Sequence, residues 1–171
     1  PKPGKEFIYH TYNAFVAAVK AGDVATAKAL YPAARLHWER IEPVAEVFAD
    51  LDPALDARED DVEPGTEWTG WHRIEKALWI DASTTGMATI ADRLLADTTT
   101  LVGLIPTVAL APSHLGNGAA ALLEEVAEGK VTGEEEYWSR TDLWDFQANV
   151  DGARVGFDGV RPLLEEKDPE L

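Results

Sequence analysis

The chain has 171 residues, of which 46% are hydrophobic, so it is long and apolar enough to form one domain with a buried core. Its 15 basic and 31 acidic residues give a formal net charge of -16, which disfavours binding to nucleic acid and to anionic membrane surfaces. The absence of cysteine excludes disulfides, thiolate metal sites, iron–sulfur clusters and a cysteine nucleophile.

Apolar side chains recur at helical spacing in the first part of the chain. A first helix is predicted to end at Gly22, and Asp23 is placed to cap the next one. That second helix is predicted from residue 24 to about residue 48, although Pro32 and Pro43 are able to kink or divide it.

Further helical patterns follow along the rest of the chain. A short helix is predicted to begin at Asp52-Pro53, and Thr69 is placed to cap a helix that runs to Trp79. Longer amphipathic patterns cover residues 87–105, 112–129 and 141–160. No segment alternates with a period of two and no apolar run reaches the ~18 residues of a membrane span. The sequence therefore predicts an all-α fold, an antiparallel up-and-down helical bundle with no transmembrane segment.

We interpret residues 1–171 as a single helical-bundle domain. The chain opens on Pro-Lys-Pro-Gly, which is neither a signal peptide nor an initiator methionine, so we expect a mature or trimmed product. It closes on a polar Glu-Lys-Asp-Pro-Glu-Leu without a terminal cap, and we therefore expect the native polypeptide to continue beyond this C-terminus.

A four-residue phrase occurs twice, as Glu39-Arg-Ile-Glu42 and as His72-Arg-Ile-Glu75. In each copy the polar ends stand three residues apart, so on a helix they would lie on one face. Two such faces brought together would present three carboxylates and one imidazole, a donor set that suits a divalent or trivalent transition metal. Nearby tryptophans indicate that His72 is partly buried, where an unpaired ring is costly.

Both phrases also have simpler interpretations, as a solvated helix face with arginine partners and as a hydrogen-bonded surface histidine. The acidic stretch between them supplies three candidates for a further oxygen ligand, Asp56, Asp60 and Asp61, among which we favour Asp60 narrowly. The resulting hypothesis is that five side chains converge on one metal site: Glu39, Glu42, Asp60, His72 and Glu75.

Five longer stretches carry a family resemblance: Tyr31-Pro-Ala-Ala-Arg35, Glu39-Arg-Ile-Glu-Pro-Val-Ala-Glu46, Asp50-Leu-Asp-Pro53 with Asp56-Ala-Arg-Glu-Asp60, Trp68-Thr-Gly-Trp-His-Arg-Ile-Glu-Lys-Ala-Leu-Trp79 and Thr141-Asp-Leu-Trp-Asp-Phe-Gln-Ala-Asn149. In these stretches the chain closely resembles the imelysin-like domain of the EfeO/EfeM family of iron-uptake proteins. The resemblance covers nearly the whole chain. The family's His-x-x-Glu signature falls on His72 and Glu75.

The resemblance implies a metal-binding helical bundle that works outside the cytoplasm, in the periplasm or at the cell surface, with a lipid anchor in some full-length forms. It implies iron as the cargo, as Fe²⁺ or Fe³⁺, with zinc and copper as alternatives. The partners it implies are a membrane iron permease and a haem peroxidase of an EfeUOB-type uptake system. Nothing in the chain resembles the cupredoxin-like domain of EfeO, so the chain matches the shorter EfeM arrangement or a fragment of the longer form.

The family has also been classed with metallopeptidases, so a zinc-dependent peptidase is the alternative function. Catalytic zinc needs an open coordination position and a general base beside the bound water. The sequence offers ligands but no separate, identifiable base. A di-iron ferroxidase would normally need two Glu-x-x-His units, and one such unit is present, in reversed order. We therefore favour non-enzymatic metal capture over hydrolysis or oxidation.

Overall fold

The computed structural model describes residues 5–133 and 135–168, with side chains from residue 8 onward. Every regular element in these residues is helical, which confirms the all-α prediction. The α-helices are α1 (Lys5–Lys20), α2 (Val24–Glu39), α3 (Leu51–Asp56), α4 (Gly70–Trp79), α5 (Met87–Leu104), α6 (Pro112–Glu128) and α7 (Asp142–Lys167). Shorter 3-10 turns lie at Glu42–Phe48, Glu59–Asp61, Ile105–Thr107 and Lys130–Thr132. Among the described helices, none has the length and apolar character needed to cross a membrane.

The polar C-terminal ending from which we expect a longer polypeptide falls partly outside the described residues, because residues 169–171 are not among them. Helix α7 itself continues to Lys167. Pro162 lies inside it.

Helices α1 and α2 form a tight hairpin. Gly22 turns the chain with a φ of +76°, a conformation in which glycine is not strained. The carboxylate of Asp23 then accepts a hydrogen bond from the backbone N–H of Thr26 at 3.0 Å, which satisfies one of the free amides at the start of α2. The predicted stop and cap are confirmed, and the short connection makes the two packed helices antiparallel.

The helical pattern predicted over residues 24–48 is broken near its middle. Helix α2 ends at Glu39, and residues 42–48 form a 3-10 turn. Pro43 explains the break, because proline lacks an N–H and disfavours the α conformation in the residue before it. Pro32, in contrast, stays inside α2. The spacing predicts that Glu39 and Glu42 lie on one face of a continuous helix. This prediction is wrong, because the helix ends between them.

The hydrophobic core surrounds Trp71 of α4, which is fully buried. Its ring centroid lies 5.1 Å from that of Tyr12, 5.2 Å from that of Phe15 and 5.7 Å from that of Tyr31. Aromatic pairs at these separations contribute stability beyond their buried area. Packing of Trp71 against α1 and α2 fixes the rotation of α4, and the next residue, His72, is thereby held in the interior as well.

The start of α4 is fastened to the end of α3. The hydroxyl of Thr69 donates a hydrogen bond to the carbonyl of Ala54 at 2.9 Å and makes no hydrogen bond to the N-terminal amides of α4, so the predicted side-chain cap is wrong. Gly70 adopts a φ of +85°, and a Cβ at this position would lie 2.2 Å from the carbonyl oxygen of Leu55. This close approach brings Asp56, the last residue of α3, beside His72.

Helices α6 and α7 pack on each other and against the segment around residues 40–43. Two glycines permit the contact, because a Cβ at Gly118 would lie 1.9 Å from the carbonyl oxygen of Pro43 and a Cβ at Gly152 would lie 2.3 Å from that of Arg40. The described residues of the connection between the two helices, 129–133 and 135–141, thereby lie beside α2 and α4. It brings acidic residues distant in sequence to the His-x-x-Glu segment.

Candidate metal centre

The imidazole of His72 is 1% exposed and is held by Glu75. Its Nδ1 lies 3.0 Å from Oε2 of Glu75, one helical turn away. The other carboxylate oxygen of Glu75 accepts hydrogen bonds from the backbone N–H groups of Trp138 at 2.9 Å and Ser139 at 2.7 Å. Burial opposes ionisation of Glu75, but the hydrogen bond and charge of His72 and these two amides outweigh it and lower the pKa of Glu75. In the neutral ring of His72, an ionised Glu75 favours the tautomer that carries its proton on Nδ1, and this tautomer has its lone pair on Nε2.

Nε2 of His72 has no hydrogen-bond partner among the described residues, although it is buried. It lies 3.5 Å from Oδ1 of Asp56. His72, Asp56 and Glu135 each offer one ligand atom, and these atoms lie within 4.8 Å of one another. A carboxylate that fixes one imidazole nitrogen while the other faces further oxygen donors is the usual arrangement of a metal-binding histidine. We call Asp56, His72 and Glu135 the imidazole group.

Two more sets of donor atoms lie equally close together. Glu39, Glu42 and Glu135 form the first, which we call the carboxylate group. His72, Glu75 and Glu136 form the second. Glu135 belongs to both the imidazole group and the carboxylate group, so the two adjoin, and the repeated phrase of the sequence is indeed brought to one place.

Cationic side chains pair with these carboxylates and bridge them. The guanidinium of Arg35 is fully buried and contacts Glu39, Asp56, Glu135 and Glu136, with 2.7 Å between its Nε and Oε1 of Glu136. Arg58 lies 2.5 Å and Lys130 3.1 Å from Oε2 of Glu135. Burial opposes ionisation of Glu135, but Lys130, Arg35 and Arg58 outweigh it and lower its pKa to about 2.

Carboxylates outnumber cations in this cluster. Among the described residues, seven carboxylates (Glu39, Glu42, Asp56, Glu75, Glu135, Glu136 and Asp145) accompany three permanent cations (Arg35, Arg58 and Lys130). Burial, helped by neighbouring carboxylates, raises the pKa of Asp145 to about 9 in spite of Arg35. Burial likewise raises the pKa of Glu42 and of Glu136. A buried excess of carboxylates must retain protons or gain a further cation.

A cavity of about 390 Å³ borders the imidazole group, and both His72 and Glu135 line it. Asp60 lines the same cavity but belongs to none of the three donor sets. It lies on the exposed 3-10 turn Glu59–Asp61, whereas Asp56 is directed inward by the fastening of α3 to α4. Of the three acidic candidates in this stretch, the structure brings Asp56 into the cluster and leaves Asp60 and Asp61 exposed.

The structure thus brings four of the five predicted site residues into one buried cluster, Glu39, Glu42, His72 and Glu75, and puts Asp60 at a cavity beside it. The site predicted from the sequence lacks several other members of this cluster: Arg35, Arg58, Lys130, Glu135, Glu136, Asp145 and Asn149. The run of three glutamates at residues 134–136 was a usable signal, since such a run beside a predicted loop is available to a cation. Helical spacing carries no information about contacts between residues so far apart.

A family model described as Imelysin matches residues 10–171 of the chain. The chain belongs to the imelysin family. Its relatives include the iron uptake system component EfeO of Escherichia coli strain K12, of Escherichia coli O157:H7 and of Shigella flexneri. Each is 52% identical over 162 residues, which cover 93% of this chain and 43% of the relative. The chain thus spans less than half the length of these relatives. The family resemblance that its motifs indicate is confirmed.

Proposed function

We propose that this chain binds iron as the cargo of an uptake system, with the ion held by the imidazole group. The observation that carries the proposal is the buried Nε2 of His72, which lacks a hydrogen-bond partner among the described residues and lies 3.5 Å from Oδ1 of Asp56. Glu75 would hold the ring from its other nitrogen, and Glu39 and Glu42 would supply neighbouring negative charge. Asp60 would attract cations at the cavity mouth.

The donor set supports iron without requiring it. Imidazole suits Fe, Zn and Cu, and carboxylates add the oxygen donors that favour the harder ions Fe²⁺ and Fe³⁺. Zinc and copper remain the alternative cargoes. The EfeO relatives, of which this chain covers a part, are named iron uptake system components. That name supports iron as the cargo.

Non-enzymatic capture is favoured over zinc-dependent peptide hydrolysis by the state of Glu75. A general base works best with a pKa near the operating pH and a free oxygen directed at the bound water. Both oxygens of Glu75 accept hydrogen bonds from its neighbours, and its pKa is lowered. This carboxylate is therefore poorly suited to take a proton from water, and we expect zinc-loaded protein to leave an unfolded polypeptide uncleaved.

We further propose that the complete protein acts outside the cytoplasm, in the periplasm or at the cell surface, and passes iron to a membrane permease that works with a haem peroxidase. These proposals rest on the family resemblance and on the names of the relatives. Growth on limiting iron tests them: the full-length protein should restore growth of a cell that lacks it, and its His72→Ala variant should not.

Calorimetric titration of Fe²⁺ without oxygen, and of Zn²⁺ as a redox-inert probe, tests the site directly. We expect His72→Ala to weaken binding at least about 100-fold, since even outer partners of ligands contribute factors of about 10 to 100. Glu75→Gln removes the carboxylate that holds Nδ1 of the ligand His72 and should weaken metal binding about 10- to 100-fold. His114→Ala is the matched control, because His114 is exposed on α6 and should leave the affinity unchanged. Equal affinity in wild type and His72→Ala would overturn the proposal.

A further inference from the structure

Lys130 is a buried lysine whose ammonium lies among carboxylates. Its side chain is 1% exposed, and its Nζ lies 2.6 Å and 2.7 Å from the two carboxylate oxygens of Glu42. Oε2 of Glu135 lies 3.1 Å away and Oε2 of Glu39 lies 3.6 Å away. Lysine is almost never fully buried unless it is paired, so this position is built to hold a cation.

The three partners of Lys130 are the same three side chains that form the carboxylate group. Burial opposes the charge on Lys130, but Glu39, Glu135 and Glu42 outweigh it and raise the pKa of Lys130 above its ordinary value. The ammonium is therefore charged, and it occupies the position in which a metal ion would meet three carboxylates.

The side-chain amide of Asn149 faces two of the same carboxylates. Its Nδ2 donates hydrogen bonds to Oε2 of Glu39 at 2.9 Å and to Oε2 of Glu42 at 2.7 Å. Its Oδ1 is buried and has no hydrogen-bond partner among the described residues. Rotation of the amide by half a turn would exchange the two atoms and direct this oxygen at a cation between the glutamates.

A second cavity, of about 260 Å³, gives ions a route to this position. Glu42 and Glu135 line it, and so do four further carboxylates, Asp52, Asp56, Asp61 and Glu125. Arg58 is the cationic side chain in the lining. Walls of one sign of charge concentrate counter-ions, so divalent cations should accumulate here.

We propose that Lys130 is a tethered cation that fills a second, all-oxygen metal site made by Glu39, Glu42, Glu135 and Asn149. By filling it, Lys130 restricts the chain to the single ion at the imidazole group. The count of one ion in the wild type rests on the proposed function. The second site does not, because none of its ligands is His72.

Counting bound Mn²⁺ by electron paramagnetic resonance tests this, since carboxylate and amide oxygens suit Mn²⁺. Lys130→Met keeps the length of the side chain and removes its charge, and we expect it to bind one more Mn²⁺ than the wild type does. The additional ion should persist in the His72→Ala, Lys130→Met double variant. Lys76→Met is the matched control, because Lys76 pairs with the exposed Glu59 and should leave the count unchanged. An unchanged count in folded Lys130→Met would overturn the proposal.

The outcome stays decisive if Lys130→Met unfolds in chelator. Mn²⁺ should then restore its helical circular dichroism, because the ion replaces the missing charge, and failure of Mn²⁺ to restore it would contradict the proposal. Lys130→Arg should fold and gain no ion. If His72→Ala binds metal like the wild type while Lys130→Met gains an ion, the proposed function fails and this inference stands.

Discussion

At the scale of single residues, the chemistry depends on what each buried polar atom has as a partner. Both carboxylate oxygens of Glu75 accept hydrogen bonds from neighbouring residues, and Arg35 bridges four carboxylates from separate parts of the chain. His72 keeps Nε2 without a hydrogen-bond partner in the described part of the chain. The cluster thus combines saturated groups that fix geometry with one nitrogen available for coordination.

Asp145 should make the metal-free protein less stable as the pH rises. Its ordinary pKa of 3.8 is raised to about 9 in the fold, so the folded state retains a proton that the unfolded state releases. Its contribution is fully present below about pH 4 and is lost towards pH 9, with a slope of at most about 1.4 kcal/mol per pH unit.

Asp145→Asn has no carboxyl group to titrate at this position, so it should lose less stability than the wild type as the pH rises. Urea denaturation of both proteins in chelator at pH 5 and pH 8 measures the effect. We expect the free energy of unfolding of Asp145→Asn, relative to wild type, to increase from pH 5 to pH 8. A difference that stays constant between the two pH values would show that Asp145 is ionised in the fold.

At the scale of elements, local sequence signals predicted the ends of helices well, but they did not predict the contacts between elements. The stop at Gly22 and the cap at Asp23 use neighbouring backbone amides, and both occur as predicted. Thr69 has the right position for a cap, but its hydroxyl bonds to Ala54 of another helix, which the local sequence does not encode. Glu135 was missed for the same reason, because it reaches Arg35 across 100 positions.

Packing of α6 against residues 40–43 should tolerate no side chain at Gly118. A Cβ there would lie 1.9 Å from the carbonyl oxygen of Pro43, so Gly118→Ala must push two elements apart, at a cost of about 1–3 kcal/mol. Gly116→Ala in the same helix meets nothing within 4 Å and should stabilise by about 0.5–1 kcal/mol. Urea denaturation of the two variants measures this contrast, and equal effects would contradict the packing.

At the scale of the whole molecule, the fold serves to join distant carboxylates. Helices α2, α3 and α4 supply Glu39, Asp56 and His72, and the connection between α6 and α7 supplies Glu135. The net charge of -16 disfavours anionic partners, and the repeated phrase located four members of the cluster. The members that lie on α7 and on its connection to α6 depend on how these two helices pack, which helical periodicity does not determine.

We expect one iron ion to bind at Nε2 of His72. An anomalous difference map from crystals soaked in Fe²⁺ without oxygen, recorded on both sides of the iron edge, tests it most directly. We predict a peak about 2.1 Å from Nε2, with Asp56 and Glu135 as further ligands. A peak bound to Nδ1, or one that does not touch His72, would show that Nε2 of His72 is not a ligand of the ion.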